Sequence, residues 1–125
     1  MIHPRFVDHL VFRIADLDDT ERFYTSLLGP PDVKSEGSVM YKVGDTRLFF
    51  TRSQESAQWP YEKEKVGLNH IAFGVPTLKE LQAILAQLDN AGLSHSGIKI
   101  DKYGQKEFIW LDDPDGLRIE FYLRD

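Results

Sequence analysis

The chain carries an internal repeat. Asp8-His9-Leu10-Val11-Phe12-Arg13-Ile14 lays over Asn69-His70-Ile71-Ala72-Phe73-Gly74-Val75, and each segment is followed by a leucine (Leu17, Leu78), a helix-like stretch and a glycine (Gly29, Gly92). A repeat constrains a fold strongly, because each copy has to build a similar supersecondary unit. In the first copy Leu10, Phe12 and Ile14 alternate with Val7, His9, Val11 and Arg13, the period of two that marks a strand. Asp18, Asp19 and Thr20 precede an apolar stripe through Phe23 and Leu27 and predict a helix start; Gly29-Pro30-Pro31 predicts its end. Residues 39–43 and 46–52 flank Gly44-Asp45, the short glycine-containing turn of a hairpin.

The second copy follows the same plan. Residues 68–75 read as a strand, and Thr77 caps a helix in which Leu78, Leu81, Ile84, Leu85 and Leu88 form one stripe. Residues 98–100, 107–111 and 117–123 read as strands, the last two joined by Asp112-Asp113-Pro114-Asp115-Gly116. Proline presets φ in that turn and glycine accepts a positive φ. The order β-α-β-β-β, taken twice, predicts an α+β domain with helices on one side of each sheet. The chain reads as one domain over residues 1–125: a first module near 5–52, a linker over 53–66 and a second module over 67–125. The linker is polar apart from Trp59-Pro60-Tyr61, which suits either a solvated connection or a flap over a pocket.

Composition removes several classes of function. With no cysteine, disulfides, thiolate nucleophiles and cysteine-based zinc sites are excluded. A net charge of −5 argues against nucleic acid, which calls for a basic stripe. No apolar run approaches the ~20 residues of a membrane span. The N-terminal Met1-Ile2-His3-Pro4-Arg5 has no secretory h-region, so a cytoplasmic protein is expected.

Alternation also sorts the chemistry. Opposite the helix side, the first strand of each copy presents His9 or His70. The last strand presents Arg118, Glu120 and Tyr122, while Leu117, Ile119, Phe121 and Leu123 face the helix. A carboxylate in so apolar a strand needs a partner, and two imidazoles on inner faces invite a divalent metal. Two histidines and one carboxylate leave coordination positions open, as catalytic sites do. An ion pair of Glu120 with Arg118 or Arg13 accounts for the acid equally well, and a lone histidine on a strand is ordinarily just a satisfied polar residue. His3 and His95 occupy no ligand position and read as surface residues.

The segments running from His9 through Asp16-Leu17 to Phe23-Tyr24 and Leu28-Gly29 resemble the opening of the vicinal oxygen chelate superfamily of glyoxalases, bleomycin-resistance proteins and extradiol dioxygenases. Asn69-His70-Ile71-Ala72-Phe73 and Asp113-Pro114-Asp115-Gly116-Leu117-Arg118-Ile119-Glu120-Phe121-Tyr122 are similar to its second-half motifs, so the resemblance spans essentially the whole chain. It implies two βαβββ modules curled into a half-open barrel around a metal. His9, His70 and Glu120 match ligand positions, and the remaining position falls at Phe49, which cannot ligate. Three protein ligands set the chain apart from the four-ligand glyoxalase I design, and resemble extradiol dioxygenases and fosfomycin thiol transferases. The catalytic histidine of the former falls near Asp101, and the tyrosine of both falls at Trp110. The serine-rich loop of the latter has no counterpart in residues 102–106.

The expected function is therefore that of a metal-dependent enzyme of lyase, dioxygenase or transferase type acting on a small, oxygen-rich, anionic molecule. The alternative is a metal-free protein that sequesters a drug or metabolite. Fe(II) suits two imidazoles and a carboxylate best, with Mn(II), Zn(II) and Ni(II) as alternatives. Arg13, Arg47 and Arg118 are expected to bind an anion, and Tyr41, Phe49, Trp110 and Tyr122 to line the apolar walls. The resemblance also implies a homodimer. No general base is identified.

Overall fold

The computed structural model describes residues 1–54 and 61–125, which fall into two compact units, Met1–Trp59 and Pro60–Asp125. In the first unit β1 (His9–Ile14) leads through α1 (Leu17–Leu28) to β2 (Val33–Lys34), β3 (Ser38–Val43) and β4 (Thr46–Arg52). The sheet order is β1-β4-β3-β2, with β1 parallel to β4 and the other pairs antiparallel. In the second unit β5 (His70–Val75), α2 (Leu78–Asn90), β6 (Lys99–Ile100), β7 (Glu107–Asp112) and β8 (Arg118–Leu123) give the order β5-β8-β7-β6. The sequence repeat is thus a repeat of topology, a βαβββ unit built twice. Trp59 and Pro60 of the expected linker lie outside the described residues.

Local chemistry sets the helix boundaries. Asp16, not the Asp18–Thr20 cluster, caps α1: its Oδ1 accepts from the Asp19 amide at 2.9 Å. Asp18 and Asp19 lie inside the first turn, where negative charge favours the positive end of the helix dipole. Thr77 caps α2 as expected; its Oγ1 accepts from the Glu80 amide at 3.1 Å and donates to Glu80 Oε2 at 2.9 Å. Threonine and glutamate three residues apart are the residue pair of a capping box, here joined through the threonine hydroxyl. Gly44 takes φ 58°, the positive value that a two-residue hairpin turn needs.

Each unit buries one sheet face under its helix. In the first unit Tyr24 and Phe50 stack with centroids 4.0 Å apart, Phe12 stacks on Phe50 at 4.9 Å, and Leu48 and Val39 fill in around them. In the second, Leu81 and Leu88 of α2 meet a sheet face whose buried residues include Ile109, Leu111, Ile119 and Phe121. The β7–β8 turn is held by Asp113, whose Oδ1 accepts from the amides of Asp115 and Leu117, both at 2.9 Å. Among the described residues no helix is long and apolar enough to cross a membrane.

Candidate metal centre and cavity

The opposite face of each sheet stays open and carries the polar chemistry. Strand β1 alternates in burial so that His9, Val11 and Arg13 are exposed; β5 does the same with His70, Ala72 and Gly74. Register makes the two faces comparable residue by residue. His9 pairs with Arg47 and Val11 with Phe49, while His70 pairs with Arg118 and Ala72 with Glu120. Phe49 therefore occupies the place in the first unit that Glu120 occupies in the second. Its ring meets His9 edge-on at 6.0 Å.

Both histidines are anchored by the residue before them. His70 Nδ1 lies 2.7 Å from Asn69 Oδ1, and the Asn69 amide nitrogen donates to the Lys63 carbonyl at 2.7 Å, which fixes that amide's orientation. His9 Nδ1 lies 2.8 Å from Asp8 Oδ2. An amide or carboxylate oxygen can only accept, so Nδ1 carries the hydrogen in each ring and the lone pair of a neutral ring sits on Nε2. That is the outer-shell arrangement that orients metal-binding histidines. His70 Nε2 lies 3.7 Å from Glu120 Oε2. Two donors each about 2 Å from a shared ion stand about 3–3.5 Å apart, so a small closure brings both onto one divalent metal. The donor set, imidazole nitrogen and carboxylate oxygen, suits Fe, Mn, Zn or Ni. Within each unit, among the described residues, no third such side chain joins a pair.

His70 and Glu120 open onto a cavity of about 620 Å³ whose walls include Tyr122, Asp101, Tyr103 and Arg124. Its rim is the loop that joins β6 to β7. There the Asp101 carboxylate accepts from the Tyr122 hydroxyl at 2.8 Å and from the amides of Tyr103 and Gly104 at 3.2 and 3.0 Å. A side chain on Gly104 would place its Cβ against the Tyr122 hydroxyl, so glycine is required for the phenol to reach Asp101. The Tyr122 hydrogen bond, followed by the two amides, holds the Asp101 carboxyl below its usual range, and the same bond pushes the Tyr122 phenol up. A depressed carboxyl stabilises the folded loop above its unfolded pKa and loses that contribution as pH falls through the folded value. The Asp101 carboxyl carbon is accordingly expected to titrate in NMR with a midpoint below about 3.9, with the Gly104 amide following it. A midpoint at or above that value would contradict the loop geometry.

The other expected site residues separate. Tyr41 does not line the cavity. It is buried beneath α1, where its hydroxyl donates to the Glu21 carbonyl at 3.2 Å and meets Thr25 Oγ1 at 2.8 Å. It pairs with Leu48 across the hairpin and so shares the helix-facing side. Arg118 stacks on Trp110, its guanidinium carbon 3.7 Å from the ring, and its Nε donates to Asp112 at 2.6 Å. That guanidinium is committed to structure, and Trp110 is its platform. Arg47 reaches Asp8 at 3.7 Å, and Arg13 donates to the Arg52 carbonyl at 3.4 Å. Tyr122 lines the cavity as expected. His95 is not a surface residue. Its side chain is 13% exposed, with Nε2 2.6 Å from Asp89 Oδ1, while Nδ1 accepts from the Gly97 amide at 2.9 Å. Arg124 is a cavity residue not expected from the sequence, whereas Asp101 stands near the position at which the resemblance places the extradiol histidine. Arg124 continues the alternation of Glu120 and Tyr122, which was the available signal.

The profile of the Glyoxalase/Bleomycin resistance protein/Dioxygenase superfamily matches residues 6–121, and the chain belongs to that superfamily. It is 30% identical to the uncharacterized protein YaeR of Escherichia coli K12, with 98% of each chain covered. It is 27% identical to a lactoylglutathione lyase of Haemophilus influenzae, over 90% of this chain and 88% of that one. A glyoxalase family protein from Enterococcus faecalis superposes with a TM-score of 0.76 at 24% identity, over 94% of this chain and 97% of that one. That likeness shows the α+β fold.

Proposed function

We propose that the chain is a divalent-metal-dependent enzyme of lyase or dioxygenase type, with His9, His70 and Glu120 as protein ligands and a small, oxygen-rich, anionic substrate. The observation that carries this reading is the approach of His70 Nε2 to Glu120 Oε2 at the cavity wall, with His70 Nδ1 anchored by Asn69 and the same anchoring repeated at His9. Phenylalanine at position 49 leaves the metal three protein ligands and open positions for substrate oxygens. When bound, the ion would supply Lewis acidity to a substrate with two adjacent oxygens. The rest falls to the chain itself. Asn69 and Asp8 keep Nε2 of each imidazole available. The Tyr122 hydroxyl donates its hydrogen bond to Asp101 and keeps its proton, which leaves its oxygen to accept from a substrate hydroxyl. Glu120, its side chain only 15% exposed, offers charge that little water competes for.

Metal analysis of the purified protein tests the proposal. His9→Ala is expected to lower the bound metal to roughly a tenth of the wild-type ratio or less, at least the loss that removal of an outer-shell partner ordinarily brings, with the far-UV spectrum unchanged. Wild-type metal content in His9→Ala contradicts the ligand set. A wild-type protein that binds no divalent ion but retains a small molecule supports the metal-free binding protein instead.

A further inference from the structure

The two units differ where their repeat would make them alike. On the open face, the first unit has Val11 and Arg13 where the second has Ala72 and Gly74, each at the same step along its strand. Ala72 and Gly74 pair with Glu120 and Tyr122. The second unit has therefore lost side-chain bulk beside its functional strand, and the cavity lies over the space left. Gly74 does not adopt a positive φ, and a Cβ placed on it would meet only Arg124 Cβ, at 3.8 Å. Neither backbone conformation nor crowding demands glycine at that position, and the open floor is what distinguishes it.

Beyond the floor stands Arg124. Its amide donates to the Val75 carbonyl at 2.8 Å, which continues the β5–β8 ladder and keeps Arg124 on the face of Glu120 and Tyr122. Its guanidinium carbon lies 5.0 Å from the Tyr122 ring centroid, a cation–π contact that holds the charge over the cavity wall. The Tyr122 ring is itself fixed by Asp101. Neighbouring acids are placed elsewhere: Asp101 is committed to the phenol and two amides and Asp125 to Lys106 at 2.8 Å, and Glu120 stands four residues back along the strand, beside His70. Among the described residues no carboxylate lies within ion-pair distance of Arg124.

We infer that Arg124, seated on Tyr122 above the Ala72–Gly74 floor, is the anion-binding residue of this cavity and selects a small chelating acid whose carboxylate or phosphate it holds. This rests on the metal-dependent reading above, and it gives the substrate two ends. Vicinal oxygens meet the metal ligands, and an oxyanion lies over Tyr122, two residues or about 7 Å along the strand from Glu120, where the Arg124 guanidinium sits although its backbone is four residues away. Such a ligand has few atoms between its chelating oxygens and its charge. Guanidinium suits a planar or tetrahedral oxyanion because its fork donates two parallel hydrogen bonds.

The test is a residue-resolved NMR titration of the full chain, equilibrated with one equivalent of Zn(II), using inorganic phosphate as the probe. Saturable shifts in the millimolar range are expected at Arg124, Tyr122, Gly74 and Gly104. Arg124→Gln is expected to weaken the response roughly tenfold or more, and Arg124→Lys to retain part of it. Gly74→Val refills the floor with a residue suited to a strand and is expected to abolish the response while Arg124 is kept. Shifts centred on His70 and Glu120 alone, or an affinity unchanged in Arg124→Gln, would overturn the inference. Zinc content is measured on the same samples. Full zinc loading without a phosphate response at Arg124 overturns this inference and leaves the metal site standing. A phosphate response at Arg124 without zinc binding supports the anion site and defeats the metal reading.

Discussion

Glu120→Ala is expected to lower divalent-metal affinity by more than about a hundredfold, beyond the 10- to 100-fold that losing an outer-shell partner costs. Glu120 lies on the open face of β8, paired with Ala72 on one side and Trp110 on the other. Neither neighbour can replace a carboxylate, and removal leaves His70 as the second unit's one remaining donor of the proposed set. The metal-free protein should tolerate the change. A partly buried carboxylate carries a desolvation cost, and its approach to His70 at 3.7 Å is too long for a strong hydrogen bond. Metal-free Glu120→Ala is thus expected to melt within a few degrees of wild type, while the rise in Tm on adding metal disappears with the binding that produces it. Calorimetry with and without Zn(II) checks both. A variant still stabilised by metal would remove Glu120 from the ligand set, and a variant unfolded without metal would make the residue structural.

Phe50→Ala is expected to cost about 3–5 kcal/mol, a large share of the roughly 5–15 kcal/mol that stabilises a typical domain. Phe50 is 1% exposed and joins three elements of the first unit: it stacks on Tyr24 of α1 and Phe12 of β1, and meets Tyr41 of β3 at 6.0 Å. Truncation leaves a cavity that two stacked rings cannot close without leaving their rotamers. The adjacent Phe49 points the other way and is only half-buried, so Phe49→Ala should cost about 1 kcal/mol, a typical value for a point substitution. Urea unfolding followed by circular dichroism reads the difference as a shift in midpoint at similar slope. A larger loss from Phe49→Ala than from Phe50→Ala would reverse the assignment of faces.

The sequence made the strands and their faces legible wherever alternation was strict. In β1, β5 and β8 every second residue is apolar, and His9, His70 and Glu120 fall on the open faces as expected. The place of Phe49 was legible only through the family resemblance, and the register of β1 with β4 sets it opposite Val11 as Glu120 is set opposite Ala72. Strand β3 broke the rule: Val39, Met40 and Tyr41 are all buried, so parity could not say which side Tyr41 takes. A tyrosine whose hydroxyl finds a helix carbonyl packs like any core aromatic. Strands β2 and β6 span two residues each, too short to show a period. Arginine roles were the least legible. Arg118 and Arg124 share a face, and what separates them is Asp112, placed across the hairpin to take the first and not the second. The pairing of Tyr122 with Asp101 depends on a loop whose course Gly104 permits, which no pattern of hydrophobicity encodes.

X-ray absorption at the metal edge of the loaded protein tests the central claim most directly, because it counts ligands around the ion itself. The account predicts two imidazole nitrogens at about 2.0–2.1 Å together with carboxylate oxygen, one imidazole lost in His9→Ala and the other in His70→Ala. A coordination shell without imidazole, or one that neither substitution changes, would contradict it.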